Sequence, residues 1–307
     1  MTDPVLALSF TGDIAAPAVQ GAISGAVYGL LGLGLVLLYK SNKVFNFAQG
    51  EFGTCAAFGT LFAISGKGFL PEMPLAVAVL FGLLVGVAVA LLTERLVVRP
   101  LFSAPKVTLV VASAGVALLL IAVQGFLQGA EPGNFPALKG GDVINAANIR
   151  LTWQGLIIVF VLAVLAVSSA LFFSRTKTGT AIIAVSQEPT ATSLVGISVA
   201  RTSMLTWGLA GLLGGIAGIL LSGSLGLIAP GSLTGLALIP AFTAAVFGGM
   251  TSLPGAFLGG VVIGVVEALA SANIPTDVLP GAGRVTLFAT LLLVLLVRPQ
   301  GLLGKTA

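Results

Sequence analysis

The chain has no histidine and a single cysteine, Cys55, and only 8% of its residues are charged. One cysteine rules out a disulfide within the chain, and without histidine a Cys/His metal site is excluded too. Serine–histidine and cysteine–histidine catalysis fall with the same missing residue. Soluble domains carry about 25% charged residues, so a chain this poor in charge is suited to lipid rather than water. Aromatic residues make up only 7%, and no segment alternates in the manner of a membrane barrel.

What is present fits helices in a bilayer. Of 307 residues, 57% are hydrophobic, the mean hydropathy is +1.13 and 41 are glycine. Apolar runs near ~20 residues, the length a helix needs to cross a membrane, cover 14–38, 44–65, 75–92, 107–128, 151–173, 204–221, 233–250, 254–272 and 284–298. The expected fold is an all-α polytopic membrane protein, one domain over 1–307, with about 8–9 transmembrane or partly re-entrant helices. The first run follows Asp3 and Asp13 and is too long for a signal-peptide core, so it is expected to be retained.

The net charge of +4 does not point to nucleic acid, because the basic residues are scattered between spans. They read better as topology. With the N-terminus outside and the C-terminus inside, Lys40, Lys43, Arg95, Arg99, Lys106, Arg175, Lys177, Arg201, Arg298 and Lys305 fall inside. Only Lys67, Lys139, Arg150 and Arg284 fall outside. Gly21, Gly25 and Gly29 form a stripe at four-residue spacing, and Gly82/Gly86, Gly211/Gly215, Gly214/Gly218, Gly255/Gly259 and Gly260/Gly264 repeat the spacing. Such pairs predict close helix contacts.

The longest polar interval on the inner side is 174–203. Its C-terminal part predicts a short helix: Glu188 precedes Pro189, Ala191, Leu194 and Val195 recur on one face, and Gly196 stops the run. A helix held there by spans on both sides is either a docking handle for a soluble partner or an ordinary loop. The outer segment 129–150, rich in Gly, Asn and Pro, reads as a connector or as a loop that meets an external partner.

Polar groups within spans are candidates for function. Asn46, Gln49 and Gly50 share one face at the start of the second span, with Glu51 beside them. Gly50 and Gly53 permit a break, and a half-helix N-terminus there favours an anionic ligand group such as a carboxylate. The competing reading is that Asn46 caps the helix and Glu51 pairs with a polar neighbour. Glu267 is the one acid of its span, placed on the path or near the outer end. Tyr28, Gln20, Gln124 and Gln128 fit interhelical hydrogen bonding. Gly304-Lys305-Thr306 looks like the end of a phosphate loop, but Pro299 stands where that loop needs glycine. No nucleotide site is expected.

Several stretches, in order along most of the chain, resemble one family. They are GAVYGLLGLGLVLLYKSNKVFNFAQGEF, ERLVVRPL with the 107–128 span, RTKTGTAIIAVSQEPTATSLVGISVAR, GLAGLLGGIAGILL and FGGMTSLPGAFLGGVVIGVVEAL. The family is the membrane permeases of branched-chain amino acid ABC importers, the LivH/LivM group, and the match is closer to LivH. Gln49 departs from it, since histidine is common there, as does Pro189-Thr190, where charged residues are usual. The resemblance implies a permease subunit without catalytic residues, cofactor or metal in the bacterial or archaeal plasma (inner) membrane. It implies three kinds of partner: a second, homologous permease subunit in a heterodimer, two cytoplasmic ATP-binding subunits, and an extracytoplasmic substrate-binding protein. Asn46, Gln49, Gly50, Glu51 and Glu267 would then line the substrate path. The interval 174–203 would be the coupling loop, with Arg175, Lys177, Gly179, Glu188 and Arg201 at the ATPase contact.

Other readings are weaker. Urea or short-amide permeases resemble the same family. A stand-alone secondary carrier or channel would place several ionisable residues inside spans, where only Glu51 and Glu267 occur. A membrane-embedded enzyme lacks any clustered acid, histidine or cysteine-pair site.

Overall fold

The computed structural model describes residues 14–67, 70–129, 131–146, 149–298 and 300–303. Asp3, Asp13 and the stretch Gly304-Lys305-Thr306 lie outside the described residues, as does Pro299. In chain order the helices are α1 (Ala15–Asn42), α2 (Gln49–Ser65), α3 (Leu75–Thr93), α4 (Lys106–Gln128), α5 (Trp153–Arg175), α6 (Lys177–Gln187), α7 (Pro189–Leu194), α8 (Val199–Leu225), α9 (Ile239–Gly248), α10 (Leu253–Asn273) and α11 (Ala282–Val297). Six of these, α1, α3, α4, α5, α8 and α10, are long and apolar enough to cross a membrane. Two shorter apolar helices, α9 with the turn before it and α11, together with the 17-residue α2, complete an all-α polytopic architecture.

Local chemistry sets the helix starts. Thr152, Thr176, Ser198 and Ser252 each accept a hydrogen bond from a backbone N–H three residues on, opening α5, α6, α8 and α10. These caps satisfy donors that a helix leaves unpaired. Pro189, Pro240 and Pro254 stand in first turns, where a missing N–H costs nothing. The alternation of helix directions gathers Lys40, Lys43, Arg95, Arg99, Lys106, Arg175, Lys177, Arg201 and Arg298 at one end of the bundle. Lys67, Lys139 and Arg284 belong to the other end.

α1 is the central element. Gly21, Gly25 and Gly29 press against the backbone of α10, where Gly260 and Gly264 answer them, and the two helices run antiparallel. A Cβ at Gly21 would stand 2.6 Å from the Gly264 carbonyl oxygen, so the contact exists only because both faces lack side chains. On the other side, α2 is wedged between α3 and α8. Gly53 meets Gly214 and Gly218, while Gly82 and Gly86 receive Ala56 and Thr60. The four-residue glycine pairs therefore mark these interfaces. Leu80 and Leu84 of α3, Leu118 and Phe126 of α4, and Phe160 and Val167 of α5 point outward, as lipid-facing side chains do.

Two predicted spans begin differently from the sequence reading. The run 44–65 does not become helix until Gln49, which lies level with Gly34 of α1 and Ala210 of α8, inside both spans. The run 233–250 opens with a π turn over Thr234–Leu238 before α9. Both helices thus begin inside the bundle, although the chain in each run passes from one end of it to the other. In the outer segment, β2 (Asp142–Ala146) and β3 (Ile149–Thr152) pair antiparallel, numbered after β1 (Gly133–Asn134), which pairs with β4 (Leu227–Ile228). The segment is a folded cover, with Phe135 buried and the Lys139 ammonium 3.9 Å above the Trp153 ring.

A π turn over Glu94–Val98 continues α3 at the basic end and buries Glu94 completely. Its carboxylate accepts from Arg99 Nη2 at 3.0 Å, and Arg99 also donates to the Ala200 carbonyl at 3.4 Å, tying α3 to α8. Arg99→Ala would strand a buried negative charge, for which a loss of about 2 kcal/mol or more is expected. Thermal unfolding of the purified variant in detergent measures this, and an unchanged midpoint would remove the pair from the structure's supports.

Candidate functional site

The segment between α1 and α2 carries the polar residues that the sequence singled out. Lys43 ends α1 in the left-handed region, with φ 54°, and turns the chain back into the bundle. Asn46 then folds over the start of α2, its Oδ1 accepting from Ala48 N at 3.0 Å. Phe47 N donates to Ser113 Oγ of α4 at 3.1 Å. These bonds fix the turn that leads into α2, whose N-cap residue, Ala48, makes no side-chain cap. Gln49 is fully buried, and its Nε2 donates to the Ala210 carbonyl of α8 at 2.9 Å. Gly50 abuts Thr234, where the second partial helix starts. The N-terminal ends of two partial helices therefore meet in the interior.

Glu51 sits at that junction, fully buried. One carboxylate oxygen accepts from Gln124 Nε2 of α4 at 2.8 Å. Gln124 Oε1 in turn accepts from Gly231 N at 3.0 Å, and Leu233 N donates to Thr54 Oγ1 at 3.4 Å. The Gln124 amide thus links α2, α4 and the chain entering the π turn. Asn46 Nδ2, Gln49 Oε1 and Ser232 Oγ are buried without a hydrogen-bond partner among the described residues, while the Glu51 carboxylate faces the hydroxyls of Thr234 and Thr54. Polar groups gathered this deep among apolar helices are costly unless they serve a function, which makes the junction a candidate site. The neighbouring cavities stop at Asn46: one of about 210 Å³ is lined by Phe45, Leu238 and Phe288, and one of about 20 Å³ by Leu109 and Trp207.

Glu267 belongs to a separate group. It is half-buried towards the end of α10, faced by Tyr28 of α1 and Arg284 of α11, and Gly283 packs against its side chain. Gln128 accepts from Lys67 Nζ at 2.9 Å, joining α4 to the end of α2.

At the basic end, the interval 174–203 is mostly helical. α7 starts at Pro189, and Gly196 stops it with φ 85°. The preceding stretch, to which the sequence reading assigned no element, is α6, capped by Thr176 and anchored through buried Gly179, Ile182 and Val185. That spacing puts the three on one face, and it was available in the sequence. Arg175, Lys177, Glu188 and Arg201 are exposed. Gly179 is not: a Cβ there would lie 2.7 Å from Phe173 Cα, so this glycine forms the tight corner between α5 and α6. Leu194 and Val195 project from the far end, 84% and 76% exposed. Their apolar character within a polar interval is the feature by which the sequence sets them apart.

Residues 18–297 match the family model described as branched-chain amino acid transport system / permease component. The high-affinity branched-chain amino acid transport system permease protein LivH of Salmonella typhimurium is 32% identical over 298 residues, covering 93% of this chain and 94% of that protein. BraD of Pseudomonas aeruginosa, of the same description, is 32% identical over 297 residues, covering 94% of each. Among solved structures, PsaBC from Streptococcus pneumoniae in complex with Fab aligns with a TM-score of 0.48 at 14% identity, covering 93% of this chain and 91% of that one. With apolar helices throughout and the family model spanning nearly all of them, the chain belongs to the permease component family of branched-chain amino acid transport systems.

Proposed function

We propose that this chain is a permease subunit of an ABC importer for branched-chain, hydrophobic amino acids. It forms the path through the plasma (inner) membrane together with a second, homologous permease subunit. The basic end faces the cytoplasm, as the bias in Lys and Arg favours. An extracytoplasmic binding protein delivers the amino acid to the opposite end, and two cytoplasmic ATP-binding subunits supply the energy. Asn46, Gln49, Gly50 and Glu51 line the path, with the Glu51 carboxylate placed to meet the substrate ammonium when the two partial helices part. Glu267 stands near the outer end, where substrate enters.

The single observation that carries the coupling part is the tip of α7. Leu194 and Val195 stand almost fully exposed at the basic end, on a helix braced against the bundle by α6. An apolar pair so placed costs free energy unless a soluble partner covers it. Arg175, Lys177, Glu188 and Arg201 are the exposed charges of the same interval, and 174–203 acts as the coupling loop. Gly179 contributes the corner that holds the loop in place.

The test is a Leu194→Asp/Val195→Asp double variant, coexpressed with the ATPase subunits. Both positions are exposed, so the bundle should fold normally. Central apolar contacts in an interface are worth about 2 kcal/mol or more, so co-purified ATPase should fall roughly thirtyfold. Glu188→Ala and Arg175→Ala should keep the complex yet separate ATP hydrolysis from uptake. Native complex formation and uptake in the double variant would sink the coupling role.

A further inference from the structure

At the basic end, where α1, α5 and α10 terminate together, the chain leaves a cavity of about 730 Å³ beneath α6. Its lining is divided by chemistry. Lys40, Lys43, Ser174 and Ser186 contribute its polar lining, and no acidic side chain among the described residues lines it. The Lys40 ammonium lies 5.4 Å from the centre of the Phe173 ring, and that of Lys43 lies 5.9 Å from the Tyr39 ring. Aromatic faces thus hold both cations near the cavity instead of leaving them to swing into water. The inner wall is apolar, with Leu171 and Leu253 in it. Leu171 is 52% exposed on the outward side of α5, so the wall continues into the surface that the bundle presents to lipid.

The ends of three spans define the depth of this cavity: it sits at the edge of the hydrocarbon layer. A ligand suited to it carries negative charge at the level of the lysines and an apolar part directed along α5. An acidic side chain from a soluble protein supplies the first without the second. We propose that this cavity binds an anionic phospholipid of the cytoplasmic leaflet, its phosphate between Lys40 and Lys43 and its acyl chains along α5. Basic pockets between membrane helices on this side are suited to such headgroups. Because α6 roofs the cavity, the lipid would brace the helix pair that carries the exposed tip.

Native mass spectrometry of the full chain in detergent, titrated with phosphatidylglycerol or phosphatidylcholine, tests this. One phosphatidylglycerol molecule should be retained per chain, in preference to phosphatidylcholine. A Lys40→Gln/Lys43→Gln double variant should lose about tenfold or more of that retention, as expected for two lysines near a phosphate. The Lys40→Arg/Lys43→Arg variant should restore it and so separate lost binding from lost folding. Lys106→Gln, exposed at the same end but outside the cavity, should leave lipid retention unchanged. Equal retention of both lipids, or full retention by the glutamine variant, would overturn the proposal. Displacement by inorganic phosphate at matched concentration would make this a free-anion site, and displacement by the ATPase subunits would assign the cavity to that partner; either result also overturns it.

Discussion

Replacing Gly260 by leucine should leave no correctly assembled subunit. A Cβ at this position would stand 2.6 Å from the Gly25 carbonyl oxygen and press on the Gly29 backbone. Overpacking a core costs about 1–3 kcal/mol when side chains can adjust. Here the obstacles are backbone atoms of α1, which have no rotamer to move into, and α1 packs against α5, α8, α9 and α10 at once. Separation of α1 from α10 should propagate through the bundle. The expected observation is protein that inserts but elutes as aggregate after detergent extraction, with no cooperative thermal transition. Gly115→Ala supplies the control, since a Cβ at Gly115 in α4 meets nothing within 4 Å, and it should unfold like the native chain. A Gly260→Leu protein with native stability would refute the close α1–α10 contact.

Glu51→Gln should abolish most uptake while leaving the fold intact. Glutamine has nearly the same shape, and its carbonyl oxygen can still accept from Gln124 Nε2, so the link between α2 and α4 survives. Only the negative charge is lost. If the carboxylate meets the substrate ammonium, removing one partner of a desolvated charge pair costs about 2–5 kcal/mol, a fall in transport of roughly thirtyfold or more. Uptake of radiolabelled leucine by proteoliposomes holding the full complex reads this, with thermal stability measured in parallel. Gln124→Leu separates the structural part. It removes the bonds to Glu51 and to Gly231, so stability should fall together with transport. Normal uptake by Glu51→Gln would reduce this carboxylate to a structural hydrogen-bond acceptor.

Much of this protein is legible in its residues because a bilayer imposes strict terms. Backbone polar groups cannot be left unpaired in hydrocarbon, so long apolar runs can only be helices, and their ends are set by length. Composition alone therefore identifies the class, the lack of histidine removes most catalytic options, and the basic residues order the ends. The glycine spacing likewise marks close contacts, since a bare face is useful only against another helix. Which glycine meets which is different: nothing in the periodicity of Gly25 says that Gly260 lies opposite. That pairing depends on bringing distant parts of the chain together.

The polar junction shows the same division. Asn46, Gln49 and Glu51 stand out because polar groups in a span are costly. That Gln124 joins Glu51 to Gly231, and that α2 and the π turn at Thr234 begin side by side, are facts of three-dimensional packing. The sequence by itself determined what must be shielded from lipid, because that rests on the transfer energy of each side chain. Only the tertiary structure decided which polar atoms meet inside, and that Gly179 forms a corner while Leu194 stays bare. Those outcomes depend on where helices distant along the chain cross, and no local pattern encodes that geometry.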